Sequence, residues 1–435
     1  MSNGTDLNKL WEDVGRAGGI DSYVDKQLRE KGFLVSRRST EHMSKAKLKQ
    51  YKESLKKEAA EKKRFRKEAW LAYRANHIVH LGENVYFNDA DNFDRWDHPN
   101  AEERADENEL PQLDNPKQLA KALDITISDL RWLAYHRDAA TSLHYRAFTI
   151  PKRDGSKRQI WAPLPKLKAA QRWILRNVVE HLPVHGAAHG FLPGRSIASN
   201  AASHTNSKIV VKVDLKDFFP TVTLPRVKGI FRKAGFREQV ATLLALISTE
   251  SPREIVEKDG KTYYIAMGPR CLPQGAPTSP GLTNTLCLRL DRRLTGLGKK
   301  LGWRYTRYAD DLTFSLPNDH KDAPKLGLLL GSIGRIAADE GFAVHPKKTR
   351  VARKGSRQQI TGLVVNGEGT PRVPRKMRRE IRAAIHNLKS GKGLKEGESF
   401  SRIAGYAAYI CMTQPELGQK LIKELASIDP PTEEA

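Results

Sequence analysis

Tyr305-Thr306-Arg307-Tyr308-Ala309-Asp310-Asp311-Leu312-Thr313-Phe314-Ser315 is the stretch whose reading decides the fold. Aromatic and β-branched residues flank an Ala-Asp-Asp centre, a pattern that predicts a β-hairpin with two acids at its tip. Adjacent carboxylates repel, and burying even one is costly. Asp-Asp at an ordinary turn is common, but Asp-Asp framed by apolar strands needs something to neutralise it. A divalent cation is the simplest answer. Mg²⁺ takes hard oxygen ligands, keeps several waters, and needs only one or two carboxylates beside substrate phosphates. Two such ions about 4 Å apart clamp the attacking and leaving oxygens of an in-line phosphoryl transfer.

A third acid lies upstream. Ile209-Val210-Val211-Lys212-Val213 is a β-branched run that reads as a mostly buried strand, and it ends in Asp214, followed by Leu215-Lys216-Asp217-Phe218-Phe219-Pro220. An acid at the end of such a strand stands at the rim of a sheet. Asp214, Asp310 and Asp311 are therefore the candidate catalytic set and the candidate ligands of two Mg²⁺ ions.

Tyr308-Ala309-Asp310-Asp311 resembles the Tyr-x-Asp-Asp box of reverse transcriptases, and the Asp214 segment resembles their first palm motif, Asp-x-x-x-Phe-Phe. Pro273-Gln274-Gly275-Ala276-Pro277-Thr278-Ser279-Pro280 resembles the box between them, and all three occur in the family's order. Asn200-Ala201-Ala202-Ser203-His204 resembles the Asn-Ala-x-x-His element of bacterial retron enzymes, and Ile360-Thr361-Gly362 their Val-Thr-Gly, with Ile for Val. The resemblance runs from about Pro116 to Leu425, and the N-terminal extension is similar, more loosely, to those of myxobacterial-type retron enzymes.

That resemblance implies an α+β right-hand polymerase. The expected division is a helical N-terminal extension over 1–115, fingers over 116–208, a palm with an antiparallel sheet over 209–365, and a helical thumb with tail over 366–435. It implies RNA-directed DNA synthesis from deoxynucleoside triphosphates. The first nucleophile would be a guanosine 2′-OH of a cognate non-coding RNA (msr-msd), the product branched msDNA, and the biology anti-phage defence. An effector protein is a further candidate partner. The rivals are a group II intron or diversity-generating reverse transcriptase, and an RNA-binding scaffold that restrains a toxin. With only a short tail after the thumb, no maturase or endonuclease domain is expected.

The same likeness assigns further roles. Lys152 and Arg158, on a basic fingers hairpin, would hold the triphosphate, as would Lys347 or Lys348, between which the sequence does not choose. Phe219 takes the place of the steric gate that selects deoxynucleotides. Gln274 would bond the nucleotide sugar or the turn, and Gly275 lets backbone approach the base pair. Asn200, His204, Thr361 and Gly362 would shape the site for the RNA, although a lone His after a helix more often ties down backbone.

Composition agrees with a nucleic-acid partner. The chain has 435 residues, a formal charge of +25 and 39% hydrophobic residues, so it can build a core of more than one domain while presenting a basic surface to phosphates. Cys271, Cys287 and Cys411 form no Cys-x-x-Cys pair, which argues against a zinc site or disulfide framework. No apolar run suits a leader or a membrane span, so a cytoplasmic protein is expected.

Local patterns complete the expectations. Ser44 to about Arg74 reads as one basic helix with Glu53–Lys57 and Glu58–Lys62 pairs. Asp89 to Asp114 reads as an acidic loop or linker. Ser128 is a plausible N-cap. Phe148–Pro151 reads as a strand leading into a hairpin at Asp154-Gly155. A closing helix begins after Pro374, with Met377, Ile381, Ala384, Ile385 and Leu388 on its apolar stripe. Its basic back, Arg375, Arg378, Arg379 and Arg382 among others, would meet RNA.

Overall fold

The computed structural model describes residues 6–87, 97–151, 155, 157–395 and 398–428. The chain forms two compact units, each made of separated segments: Met1–Ile174 with Phe231–Arg270, and Leu175–Ile230 with Cys271–Ala435. Helices and antiparallel sheets are mixed in both, an α+β architecture. No helix among the described residues is long and apolar enough to cross a membrane.

The second unit is organised by the strand Ser207–Lys216. It runs antiparallel between Asp311–Pro317 and Arg350–Arg353, and Arg304–Tyr308 closes the other side of the hairpin. Period-two alternation sends Ile209, Val211, Val213 and Leu215 to one face, where all are buried, and Val210, Lys212 and Asp214 to the other. The helix Leu288–Leu301 packs beside the outer hairpin strand and against the helix Leu326–Asp339. Arg293 joins the latter pair, reaching Asp339 at 2.6 Å and Glu340 at 2.8 Å.

The expected closing helix is Arg375–Lys389, but it does not close the chain. Gly391 and Gly393, both at positive φ, interrupt it, and Phe400–Cys411 and Pro415–Ala426 follow. Ser399 caps the first of these and Pro415 opens the second. Their apolar stripes, including Ile381, Ile385, Ile403, Ala407, Ile410, Leu421 and Leu425, share one core with Val210, Ile360 and Leu363 of the sheet region. That core needs a close helix crossing at Gly418, where an added Cβ would lie 2.4 Å from Cys411 Cα.

In the first unit, Leu7–Arg16, Ile20–Glu30 and Lys45–Asn76 form a helical group around Val14, Val24, Leu28, Phe65 and Ala69. Ser44 caps the long helix as its pattern predicts, but Glu58 pairs with Arg37 at 2.6 Å instead of Lys62, because it faces inward. The cap of Ile127–Ala134 is Thr126, not Ser128, in a reciprocal capping box with Asp129. The fingers hairpin is longer than expected, Tyr145–Pro151 with Lys157–Pro163, and most of its connecting turn lies outside the described residues.

The expected acidic linker is partly folded. Ala101–Glu107 is a helix, Asp97 accepts the backbone N–H of Glu238 at 2.6 Å, and Arg237 bridges Glu102 and Asp114. A distant cation neutralises charges that look unpartnered in the sequence. Residues 88–96 lie outside the described set.

Replacing Gly418→Ala is expected to cost about 1–3 kcal/mol by overpacking the last two helices. Urea denaturation measures it, and a variant as stable as the parent would show that the crossing has slack.

Candidate active site

The acid-bearing turn is Ala309-Asp310, between the strands Arg304–Tyr308 and Asp311–Pro317. Ala309 has φ 53, a left-handed conformation that glycine usually takes in such turns. Neighbours hold it there. Gly190 lies so close that a Cβ on it would sit 2.8 Å from Ala309 N. Asn284 donates to Gly190 O at 2.9 Å. Arg307 donates to Asn284 Oδ1 at 3.0 Å and to Ala309 O at 3.2 Å.

Arg307 is anchored in turn by Asp291, at 2.7 Å, with both side chains fully buried. Asp291 also accepts from Tyr305 OH at 2.8 Å. Neither it nor Asn284 was among the residues that sequence reasoning selected. The available signal was an acid on the apolar stripe Cys287, Asp291, Leu294, Gly298, where an unpaired carboxylate would be costly.

The sheet register sets Asp214 directly opposite Asp311, on one face. Leu215 N donates to Asp310 O at 3.0 Å, fastening the turn to the end of the central strand. Like charges opposite one another destabilise a sheet, and the consequences are visible. Burial first, then the charges of Asp311 and Asp214, push the Asp310 carboxyl up to about 6, against the pull of Lys348. Asp311 is also raised, by burial and by Asp214, with Lys212 and Lys348 opposing.

Lys348 reaches Asp214 Oδ1 at 2.9 Å and Oδ2 at 3.1 Å. That hydrogen bond, reinforced by the Asp214 charge, raises the lysine pKa. A backbone bond from His345 N to Asp214 O, 2.8 Å, sets the short Pro346–Lys348 turn beside the acid. Of the two lysines left open by the sequence, both exposed, Lys348 is the one paired with Asp214.

Among the described residues no group of three or more His, Cys, Asp or Glu side chains is arranged to hold a metal ion by itself. Hard carboxylate oxygens under mutual repulsion nonetheless suit a hard divalent ion that keeps much of its water.

Asn200 and His204, expected among the RNA-binding residues, are fully buried, which excludes direct contact with RNA in this conformation. They work inside the sheet. Thr306 Oγ1 donates to Asn200 Oδ1 at 2.6 Å. His204 Nε2 therefore donates to Thr306 Oγ1, and Nδ1 accepts from Ser315 Oγ, both at 2.7 Å. Burial, with Arg304 and His189 nearby, pushes the His204 pKa down to about 3, so the ring is neutral.

Thr361 hooks onto the short helix Ile197–Ala202 that carries Asn200, donating to Ile197 O at 3.0 Å. Thr361 and Gly362 form a turn with φ 44 and φ 90, and a Cβ on Gly362 would come within 3.1 Å of Tyr409 OH. The Asn-Ala-x-x-His and Ile-Thr-Gly elements are thus one structural joint between sheet and C-terminal helices.

Other candidates are distributed more widely. Phe219 is half-buried, with its ring 5.6 Å from that of Phe218. Gln274 is half-buried and Gly275 exposed with φ 119, a backbone state that requires glycine. Arg375, Arg379 and Arg382 are exposed and Arg378 half-buried on the helix Arg375–Lys389. Arg158 belongs to the first unit, exposed on its hairpin opposite Ile150. Lys152 lies outside the described residues.

The family profile "Reverse transcriptase (RNA-dependent DNA polymerase)" matches residues 150–369. Retron Mx162 reverse transcriptase of Myxococcus xanthus is 52% identical over 426 residues, covering 96% of this chain and 88% of that protein. The chain belongs to the retron reverse transcriptases. Retron Mx65 reverse transcriptase of the same organism is 42% identical, covering 72% of each chain. Retron Ec86 reverse transcriptase of Escherichia coli is 31% identical, covering 74% of this chain and 91% of that one. This retron enzyme is an RNA-directed DNA polymerase of the myxobacterial kind, and its family works with divalent metal ions and an RNA template.

Two outcomes follow for the parts beneath the acids. Asp291→Ala strands a buried guanidinium and should cost about 3–5 kcal/mol of stability in denaturant titrations; a loss below about 1 kcal/mol would mean that water reaches Arg307.

His204 makes stability pH-dependent. Its folded pKa is depressed, so between about 6.5 and about 3 the unfolded chain binds the extra proton. Its contribution therefore weakens as pH falls through that window, by up to about 1.4 kcal/mol per unit. Stability profiles of the parent and His204→Gln should converge as pH drops from 7 to 4, and parallel profiles contradict the buried neutral ring.

Proposed function

We propose that Asp214, Asp310 and Asp311 hold two Mg²⁺ ions and that the enzyme begins DNA synthesis on a guanosine 2′-OH of its cognate non-coding RNA. The carrying observation is the cross-strand pairing of Asp214 with Asp311, with Asp310 at the adjoining turn. When bound, the ions would lower the barrier by stabilising charge on the attacking and leaving oxygens. The protein's part is positioning: the buried Arg307–Asp291 pair fixes the turn, and Lys348 aligns Asp214.

Later nucleophiles would be DNA 3′-OH groups, the substrates dNTPs, and the product branched msDNA. Phe219 would press under the sugar as the gate against ribose. Gln274 and Gly275 would receive the nucleotide and its template, while Lys152 and Arg158 of the hairpin, with Lys348, would engage triphosphate oxygens. Asn200, His204, Thr361 and Gly362 act from within, by setting the joint between palm and thumb. Arg375, Arg378, Arg379 and Arg382 would meet RNA phosphates.

The division into extension (1–115), fingers (116–208), palm (209–365) and thumb (366–435) is our assignment by role. A cytoplasmic setting and anti-phage defence rest on the family likeness.

Asp310→Asn should abolish msDNA in cells while the purified variant still binds the non-coding RNA. Gel analysis with RNase and debranching treatment reads the first, and filter binding the second. Normal msDNA from that variant would remove Asp310 from the catalytic set.

A further inference from the structure

We propose that a pocket at the start of the helix Arg375–Lys389 is a phosphate-binding site that takes phosphates of an RNA strand turned into the surface. The proposal deepens the RNA-binding reading above and rests on it for the polymer, but not for the phosphate.

The pocket has a volume of about 350 Å³ and is lined by five cationic side chains: Arg357, Arg372, Arg375, Lys376 and Arg378. No acid lines it. Lys376 has Glu380 at 3.9 Å on open surface, and the four arginines make no ion pair among the described residues. Arg378 Nε is buried without a hydrogen-bond partner. So many like charges in one depression raise the question already met with the paired aspartates, with the sign reversed. The neutralising group must be an anion.

The helix start points the same way. Pro374 occupies the N-cap, no side chain caps the first turn, and no acid lies in that turn. Its N–H groups and the positive end of the helix dipole favour an anion there. Asn366 and Thr370 add polar groups to the wall.

The walls are formed in advance. Val364 and Arg372 exchange backbone hydrogen bonds of 2.8 and 3.0 Å. Asn366 accepts from Gln358 N at 2.7 Å and donates to Ser356 O at 2.7 Å, locking the loop that carries Arg357. Val373 is buried beneath. A rigid fork of guanidinium groups matches phosphate oxygens, and little ordering remains to be done on binding.

A single carboxylate would leave most of this charge uncompensated, whereas a nucleic-acid strand brings one charge per nucleotide. The volume admits a phosphate with its sugar, or two successive phosphates where a strand bends inward. The group could be internal to the RNA or its 5′-terminal phosphate, and the chemistry is common to both.

The test uses the full-length protein, purified in EDTA so that no divalent ion recruits anions to the carboxylates. Inorganic pyrophosphate is added at constant ionic strength, and the melting temperature is followed. It should rise for the parent and for the charge-matched control Arg292→Gln/Lys299→Gln/Lys300→Gln, three exposed cations without an ion pair among the described residues, and stay flat for Arg357→Gln/Arg372→Gln/Arg375→Gln. Without pyrophosphate the triple variant should melt no lower than the parent, because it loses repulsion and no ion pair. An equal rise in the triple variant, or no rise in the parent, overturns the pocket.

The second arm measures affinity for single-stranded RNA across salt concentrations. The slope of log affinity against log salt should be shallower in the triple variant by about 0.7 per lost phosphate contact. A difference confined to 5′-phosphorylated RNA assigns the terminal phosphate, and one shared by 5′-hydroxyl RNA assigns an internal one. Slopes that match the parent's, beside a positive pyrophosphate result, would leave an anion pocket and overturn its occupation by RNA.

Discussion

A guanidinium with no access to water, held by a carboxylate equally dry, underlies the acid-bearing turn. Arg307 is costly to bury alone, and Asp291 makes its burial tolerable only while the two stay together. The fork of Arg307 then has directions to spare, and it spends them on Asn284 and the carbonyl of Ala309. Ala309 is held at positive φ by this set and by the close backbone of Gly190. Asp310 and Asp311 thereby stand beside Asp214 at fixed separation, despite their repulsion. The three carboxylates rest on a charge pair that is itself closed to solvent.

A second dry polar group serves the opposite face of the same sheet. Asn200, His204, Thr306 and Ser315 are linked in a chain of hydroxyl, amide and imidazole. Thr361 fastens the turn at the root of the C-terminal helices to the helix that carries Asn200. The residues that mark the retron branch of the family thus govern how palm and thumb meet. They act on placement alone, since none of the ring or amide atoms of His204 and Asn200 reaches the surface.

The acid-bearing strands were legible because a period of two fixes which side chains share a face, and the β-branched run ending in Asp214 left little freedom of register. The aromatic and β-branched residues flanking Ala309-Asp310-Asp311 foretold the partner hairpin. What stayed hidden depended on partners far along the chain. Asp291 looks like an ordinary helical acid until Arg307 arrives. The acidic stretch before Asp114 looks unfoldable until Arg237 supplies its counter-charge. Thr126 outcompeted Ser128 because only its register brings Asp129 back onto the cap. Past Lys389, three glycines in a polar run masked the restart of helical periodicity, which local pattern alone reads as tail.

The strand at the middle of the acid-bearing sheet emerges from the ribosome well before either neighbour. Ser207–Lys216 pairs with Asp311–Pro317 and Arg350–Arg353, so at roughly 5–20 residues per second it waits several seconds or more with both edges open. Its run of Ile and Val is the kind that recruits other nascent chains. Expression of this enzyme should therefore be sensitive to translation speed and to chaperones that shield unpaired strands, a burden set by the order of segments along the gene and not by the finished sheet.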